Sequence, residues 1–197
     1  MGDARPGRRQ PHGGRLKSLA GLMKIHLLAV GVRMPAWIKA GYAEYAERLP
    51  RECALNLVEI PAGKRGPNAD VARAVRAEGE RLLAAVPPGS RPIALDERGQ
   101  EWSTAELAEQ LTGWLRDGRD LSLLVGGPDG LDAPCRARAD LLWSLSRLTL
   151  PHPLVRVLVA EQRHAVGHGV LLRAARDLVD QGLHDESGVR RAHAAPP

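Results

Sequence analysis

Three stretches of this chain hold residue types that do chemistry when they are held in place. In "LPHPLVR" (150–156), His152 is fixed between two prolines and Arg156 follows four residues later. A rigid histidine near an arginine can handle a proton or an anionic substrate, and it equally suits a cap on the helix that follows. In "LSLLVGGPDGL" (121–131), a run of branched apolar residues stops at two glycines, a proline, an aspartate and another glycine. Glycines at the end of a buried strand let a ligand approach the backbone closely, although a plain strand-to-helix turn uses the same residues. In "AGKRG" (62–66), Lys64 and Arg65 sit on a flexible loop, as a phosphate contact or as ordinary solvated charge.

Other chemistries find less support. Gly31 has no GxGxxG company, GK[ST] is absent, and no GxSxG elbow exists, so ordinary dinucleotide, P-loop and hydrolase readings weaken. His164 and His168 have helical spacing, but no third ligand at suitable spacing accompanies them, which disfavours a metal site. Cys135 follows a helix start that can lower a thiol pKa, with a packed structural thiol as the alternative.

Positioning these residues requires a scaffold, and the chain alternates between two textures. "MKIHLLAVG", "LNLVEI" (55–60), "RPIALD" (91–96) and "LSLLV" (121–125) are short and apolar enough for buried strands. Between them lie helical patterns. Pro35 opens one over about 35–48, with Ile38, Gly41, Tyr45 and Leu49 on one face. A second begins near Asn68 and stops at Pro87 and Pro88, and a third follows the capping-box pair Ser103 and Glu106 up to Gly118. Asp132 and Pro134 start a fourth helix expected to run through Leu142. "RLTL" (147–150) then reads as a short strand, and "PLVRVLVAEQ" is apolar enough for either a helix or a strand. Strands separated by helices of this length predict an α/β fold with a parallel sheet covered on both faces.

Composition bounds the partners. The 197 residues carry a net charge of +5, but residues 1–22 contribute +4 and residues 163–197 contribute +1, leaving 23–162 balanced. A nucleic-acid surface on the core must therefore come from clustering rather than from overall charge. Residues 1–22, rich in Gly, Pro and Arg, read as a disordered basic leader, and Met23 is a candidate second start. Two distant cysteines, Cys53 and Cys135, form no framework, which points to a reducing cytoplasm. No apolar run approaches the roughly 18 residues of a membrane span.

Taken together, "MPAWIKAGYAEYAERLP", "LVEIPAGKRGPNAD", "ALDERGQEWST", "DGRDLSLLVGGPDGL" and "LWSLSRLTLPHPLVRVLVAEQ" resemble the bacterial ribosomal RNA large subunit methyltransferase H family, in order from Met23 to about Gln162. The resemblance implies a SPOUT domain over 23–162, with a deep C-terminal trefoil knot. It implies a cytoplasmic homodimer that transfers methyl from S-adenosyl-L-methionine to N3 of a pseudouridine in 23S rRNA on the assembled ribosome, without a metal. By position, Leu95, Gly126, Leu145, Ser146, Arg147, Leu148, Thr149 and Leu150 match the family's donor-binding residues. His152 and Arg156 match its "PH…R", candidates for contact with the target base or its phosphate.

One departure follows. Where the family continues with a tyrosine-arginine helix of the form LYRAW and ends in an "HPYHR"-like tail, this chain runs "RHAVGHGVLLRAARDLVDQGLHDESGVRRAHAAPP". The matching tyrosine, arginine and terminal histidine are missing from this atypical extension, 163–197. Two expectations stay open: an active methyltransferase, or a catalytically impaired relative that still binds RNA or the ribosome.

Overall fold

The computed structural model describes residues 23–49 and 55–166. The leader, most of the extension, Cys53 and His168 lie outside them. The described elements are β1 (Ile25–Val30), α1 (Ala36–Ala46), β2 (Leu55–Ile60), α2 (Val71–Ala84), β3 (Arg91–Glu101), α3 (Thr104–Asp117), β4 (Leu121–Val125), α4 (Ala133–Arg138) and β5 (Leu141–Ser144). A last helix, α5, occupies 152–166.

All five strands are parallel, in the order β2-β1-β4-β3-β5. β1 and β4 pair in register from Ile25 with Leu121, and β3 joins β4 from Arg91 with Leu121. Because side chains alternate along a strand, the apolar runs feed two cores. Ile25, Leu27, Leu123, Val125 and Ile93 pack with Trp114, Val159 and Ala160, on the face covered by α1, α3 and α5. Leu28, Val30, Leu124 and Ala94 pack with Leu82 and Cys135, on the face covered by α2 and α4. Successive crossovers alternate in direction along the sheet and alternate in face, so they share one hand, as βαβ geometry demands.

Local signals and structure agree closely for α3. Ser103 Oγ accepts from Glu106 N at 3.2 Å, Glu106 Oε2 accepts from Ser103 N at 2.7 Å, and Gly118 ends the helix in the left-handed conformation at φ 75°. The second helix starts slightly later than expected, with Asp70 as its cap.

Two expectations require correction. The helix from Asp132 ends at Arg138 rather than Leu142, because Ala139 turns to extended backbone and Leu141–Ser144 pairs with β3. Tertiary packing overrides local preference here: Trp143 stacks on Trp102 at 5.5 Å and is buried in the core, a contact that only the strand delivers. "RLTL" is accordingly not a strand but part of the irregular connection to α5. The ambiguous apolar stretch after it is helical. β3 also runs five residues further than expected, through a bulge at which both Leu95 and Gln100 face Trp143. No described helix is long and apolar enough to cross a membrane.

Leu124, fully buried in the central strand, and Ser103, an exposed cap, set the energetic scale. Leu124→Ala should cost about 2–5 kcal/mol and Ser103→Ala about 0.5–2 kcal/mol, measured by urea unfolding. A reversed ranking would contradict the core described here.

Candidate functional site

The connections leaving β3 and β4 turn to opposite faces of the sheet, which opens a crevice at the carboxyl ends of these strands. A cavity of about 710 Å³ lies there, within the size range of cofactor sites. Three segments far apart in sequence build it: Leu95–Arg98 from the β3 bulge, Val125–Leu131 from the β4 exit, and the connection from β5 into α5.

The β4 exit is packed too tightly for side chains. A Cβ on Gly126 would lie 2.4 Å from the Gly130 backbone, and Gly130 itself adopts φ 80° to close the turn onto Gly127, with its N–H donating to Gly127 O at 3.0 Å. The glycines thus keep a short backbone loop flat against the cavity. Across from it, the 145–151 connection is held by serines: Ser144 Oγ donates to Ser146 O at 2.9 Å, and Ser146 Oγ accepts from Leu148 N at 3.0 Å. Leu148 remains 74% exposed at the rim.

Of the residues singled out from sequence, Leu95, Gly126, Leu145, Ser146, Leu148, Thr149, Leu150 and His152 all line this cavity. Arg147 does not. Its side chain is 88% exposed and pairs with Glu101, Nε to Oε2 at 3.0 Å. Arg156 lies behind the cavity at 2% exposure. Its guanidinium donates to Glu59 Oε1 at 2.7 Å and to the carbonyl oxygens of Val30 at 3.1 Å and Gly31 at 2.5 Å. It locks the start of α5 onto the end of β1.

This clamp places His152. A Cβ on Gly31 would meet Arg156 Nη2 at 3.4 Å and His152 Cε1 at 3.6 Å, so both side chains border the Gly31 backbone. The imidazole is half-buried, and its Nδ1 is shielded from water without a hydrogen-bond partner. Burial first, then the positive charges of Arg156 and Arg65, hold His152 below the ordinary histidine pKa against an opposing pull from Glu78. The neutral imidazole is the favoured form. Cys135, by contrast, is buried with its pKa pushed up to about 12 by desolvation and Asp132, and so is an inert packed thiol.

Sequence reasoning passed over Glu78 and the partner it gives Arg65. Glu78 is a buried carboxylate in mid-helix that takes both Arg65 Nη atoms, at 2.5 and 3.0 Å, and the Gly63 N–H at 2.6 Å. Lys64 stays exposed, while Arg65 turns inward. A signal was available: Glu78 interrupts the apolar stripe of Ala74 and Leu82 at four-residue spacing, where an acid needs a buried cation.

A family model described as "Predicted SPOUT methyltransferase" matches residues 23–164. The chain is 65% identical over 140 residues to a ribosomal RNA large subunit methyltransferase H of Thioalkalivibrio sulfidiphilus, covering 71% of this chain and 90% of that one. Proteins of the same name from Marinomonas sp. and Methylococcus capsulatus are 58% and 60% identical over the same coverage.

Removing the clamp should loosen the site. Arg156→Ala is expected to destabilise the fold by about 2–4 kcal/mol, because it removes a buried donor shared by the Glu59 carboxylate and the carbonyls of Val30 and Gly31. Urea unfolding measures it, and a change below about 0.5 kcal/mol would show that the guanidinium holds nothing.

Proposed function

We propose, from the premise that this chain belongs to the ribosomal RNA large subunit methyltransferase H family of SPOUT methyltransferases, that it methylates N3 of a pseudouridine in 23S rRNA on the assembled ribosome, with S-adenosyl-L-methionine as donor. The observation that carries this reading is the convergence of Leu95, Gly126 and the 145–150 connection on one cavity beside His152.

The cavity suits the donor chemically. Its walls combine leucine side chains with backbone groups of two irregular loops, which can enclose an adenine and bond its edges, and the charged residues Asp96, Glu97, Arg98, Asp129 and Arg136 complete the lining. When bound, the donor supplies an electrophilic methyl group. Leu95, Gly126, Leu145, Ser146, Leu148, Thr149 and Leu150 would hold it, while Arg147 stands outside the lining and pairs with Glu101.

The remaining work falls to the α5 end of the site. N3 of a uracil-like ring must lose its proton as it gains the methyl group, so an acceptor and strict alignment are both needed. We assign the acceptor to His152, which stands neutral at the cavity wall and can take that proton on a free ring nitrogen. Arg156 acts behind it: with its guanidinium already committed to Glu59 and the β1 carbonyls, it fixes the first turn of α5 and hence the imidazole. This is a positioning role rather than contact with a phosphate.

The same reading extends to assembly. The chain leaves β5 at one edge of the sheet and reaches the end of β1 by Arg156, beyond both β3 and β4. That return path past the glycine turn supports the trefoil knot. A homodimer is the working unit we assign, since one charge-balanced core offers few contacts to a large RNA. The second reading, a relative that binds without catalysis, is favoured by one observation: the family match stops at residue 164, where the "LYRAW" and "HPYHR" features are replaced.

Methyl transfer from labelled donor to ribosomes lacking the mark decides between the readings. Incorporation at one pseudouridine is expected. Donor binding without incorporation would establish the non-catalytic reading. His152→Ala should lower kcat by about a hundredfold while donor affinity changes little, and a collapse of donor affinity would remove His152 from the proton-transfer role. Because His152 has a depressed pKa, the folded state binds fewer protons than the unfolded chain below neutrality. Its contribution to stability is complete above the unfolded pKa near 6.5 and is lost as pH falls through and below it. Urea unfolding between pH 5 and 7 should therefore show an acid-side decline that is shallower in His152→Gln, and identical slopes would contradict the buried neutral imidazole.

A further inference from the structure

The glycine turn after β4 has almost nothing of its own with which to hold a shape. Across Gly126, Gly127, Pro128, Asp129 and Gly130, Asp129 is the single side chain able to form a hydrogen bond. Its Oδ2 accepts from Arg65 Nε at 2.9 Å. The rest of that guanidinium is committed inward: Nη1 donates to Glu78 Oε1 at 2.5 Å and to Gly63 O at 3.1 Å, and Nη2 donates to Glu78 Oε2 at 3.0 Å. Glu78 is itself 2% exposed on α2, and a Cβ on Gly127 would lie 2.9 Å from its Oε2. One residue further along α2, a Cβ on Gly79 would overlap the Asp132 carboxyl at 2.3 Å, so the helix supports both ends of the turn.

We infer that Arg65 is a positioning residue for the donor site: its planar fork ties the glycine turn, through Asp129, to a buried carboxylate on α2 and thereby sets how far the turn stands open. The inference rests on the methyltransferase reading of the cavity. Arginine is required rather than lysine, because a single ammonium cannot bond Glu78 in two places and Asp129 in a third direction. The Arg65–Asp129 contact is partly exposed, with the carboxylate 41% accessible, so it adds little to folding. Its effect falls on the turn's geometry instead.

The test is calorimetric titration of S-adenosyl-L-methionine into the full-length chain and its variants, with melting temperatures alongside. Asp129→Ala should weaken donor binding about tenfold with a melting shift under about 2 °C, whereas Asp129→Asn, which keeps an acceptor for Arg65 Nε, should restore most of the affinity. Arg65→Lys, which also gives up one bond to Glu78, should weaken it at least as much as Asp129→Ala, and adding Asp129→Ala to Arg65→Lys should weaken binding no further, since the link to the turn is already broken. In turnover on ribosomes, KM for the donor should rise and KM for the ribosome should not. If wild type binds donor and every variant binds alike, or if the Arg65 and Asp129 effects add, the positioning role is refuted while the methyltransferase reading stands. If wild type binds no donor, that reading falls and the inference falls with it.

Discussion

The site depends on a backbone approaching itself more closely than any side chain permits. Where the chain leaves β4, a Cβ on Gly126 would lie 2.4 Å from the Gly130 backbone, and the same turn leans on Glu78 at Gly127. A loop packed this way keeps its shape with few bonds of its own, because any alternative shape meets atoms already in place. The cost is dependence on neighbours. Glu78 must be buried to support the turn, a buried carboxylate needs a cation, and Arg65 supplies it: burial alone would raise the Glu78 pKa, yet the bonds from Arg65 and Gly63 hold it below the ordinary carboxylate value.

The sheet explains why this turn faces a ligand and not another helix. With β4 placed between β1 and β3, neighbouring connections depart toward opposite faces, and the space between them stays open. The chain then returns across that opening. The 145–151 connection forms the far wall, and Arg156 draws α5 down onto the carbonyls at the end of β1, so His152 arrives beside the crevice as a consequence of how the last helix is anchored. Structure and chemistry share one bond set there: burial does most to lower the His152 pKa, and the guanidinium that stabilises the end of β1 adds its positive charge in the same direction.

Much of this was readable from the residues, for reasons that can be named. β2 and β4 match their predicted spans because each is a short, mostly apolar run that stops at Pro61 or at Gly126, and α3 carries its own cap and stop. The cavity residues were found through resemblance, and all but Arg147 and Arg156 line it with their side chains or backbone. What escaped was decided by distant partners. Leu141–Ser144 continues a helical pattern locally and becomes a strand only because β3 and two tryptophans receive it. Arg65 reads as a solvated loop cation until Glu78, thirteen residues on, is seen to be buried. Arg156 resembles a substrate contact because its acceptors, carbonyls of β1 more than a hundred residues away, leave no trace in local spacing.

The most direct test of the account is a crystal structure with S-adenosylhomocysteine. Density for its adenosyl group is expected between the Gly126–Gly130 turn and the 145–150 connection, with the sulfur on the side of His152 and the turn unmoved. Density at another surface, or a cavity closed by its own side chains with no ligand in it, would contradict the assignment.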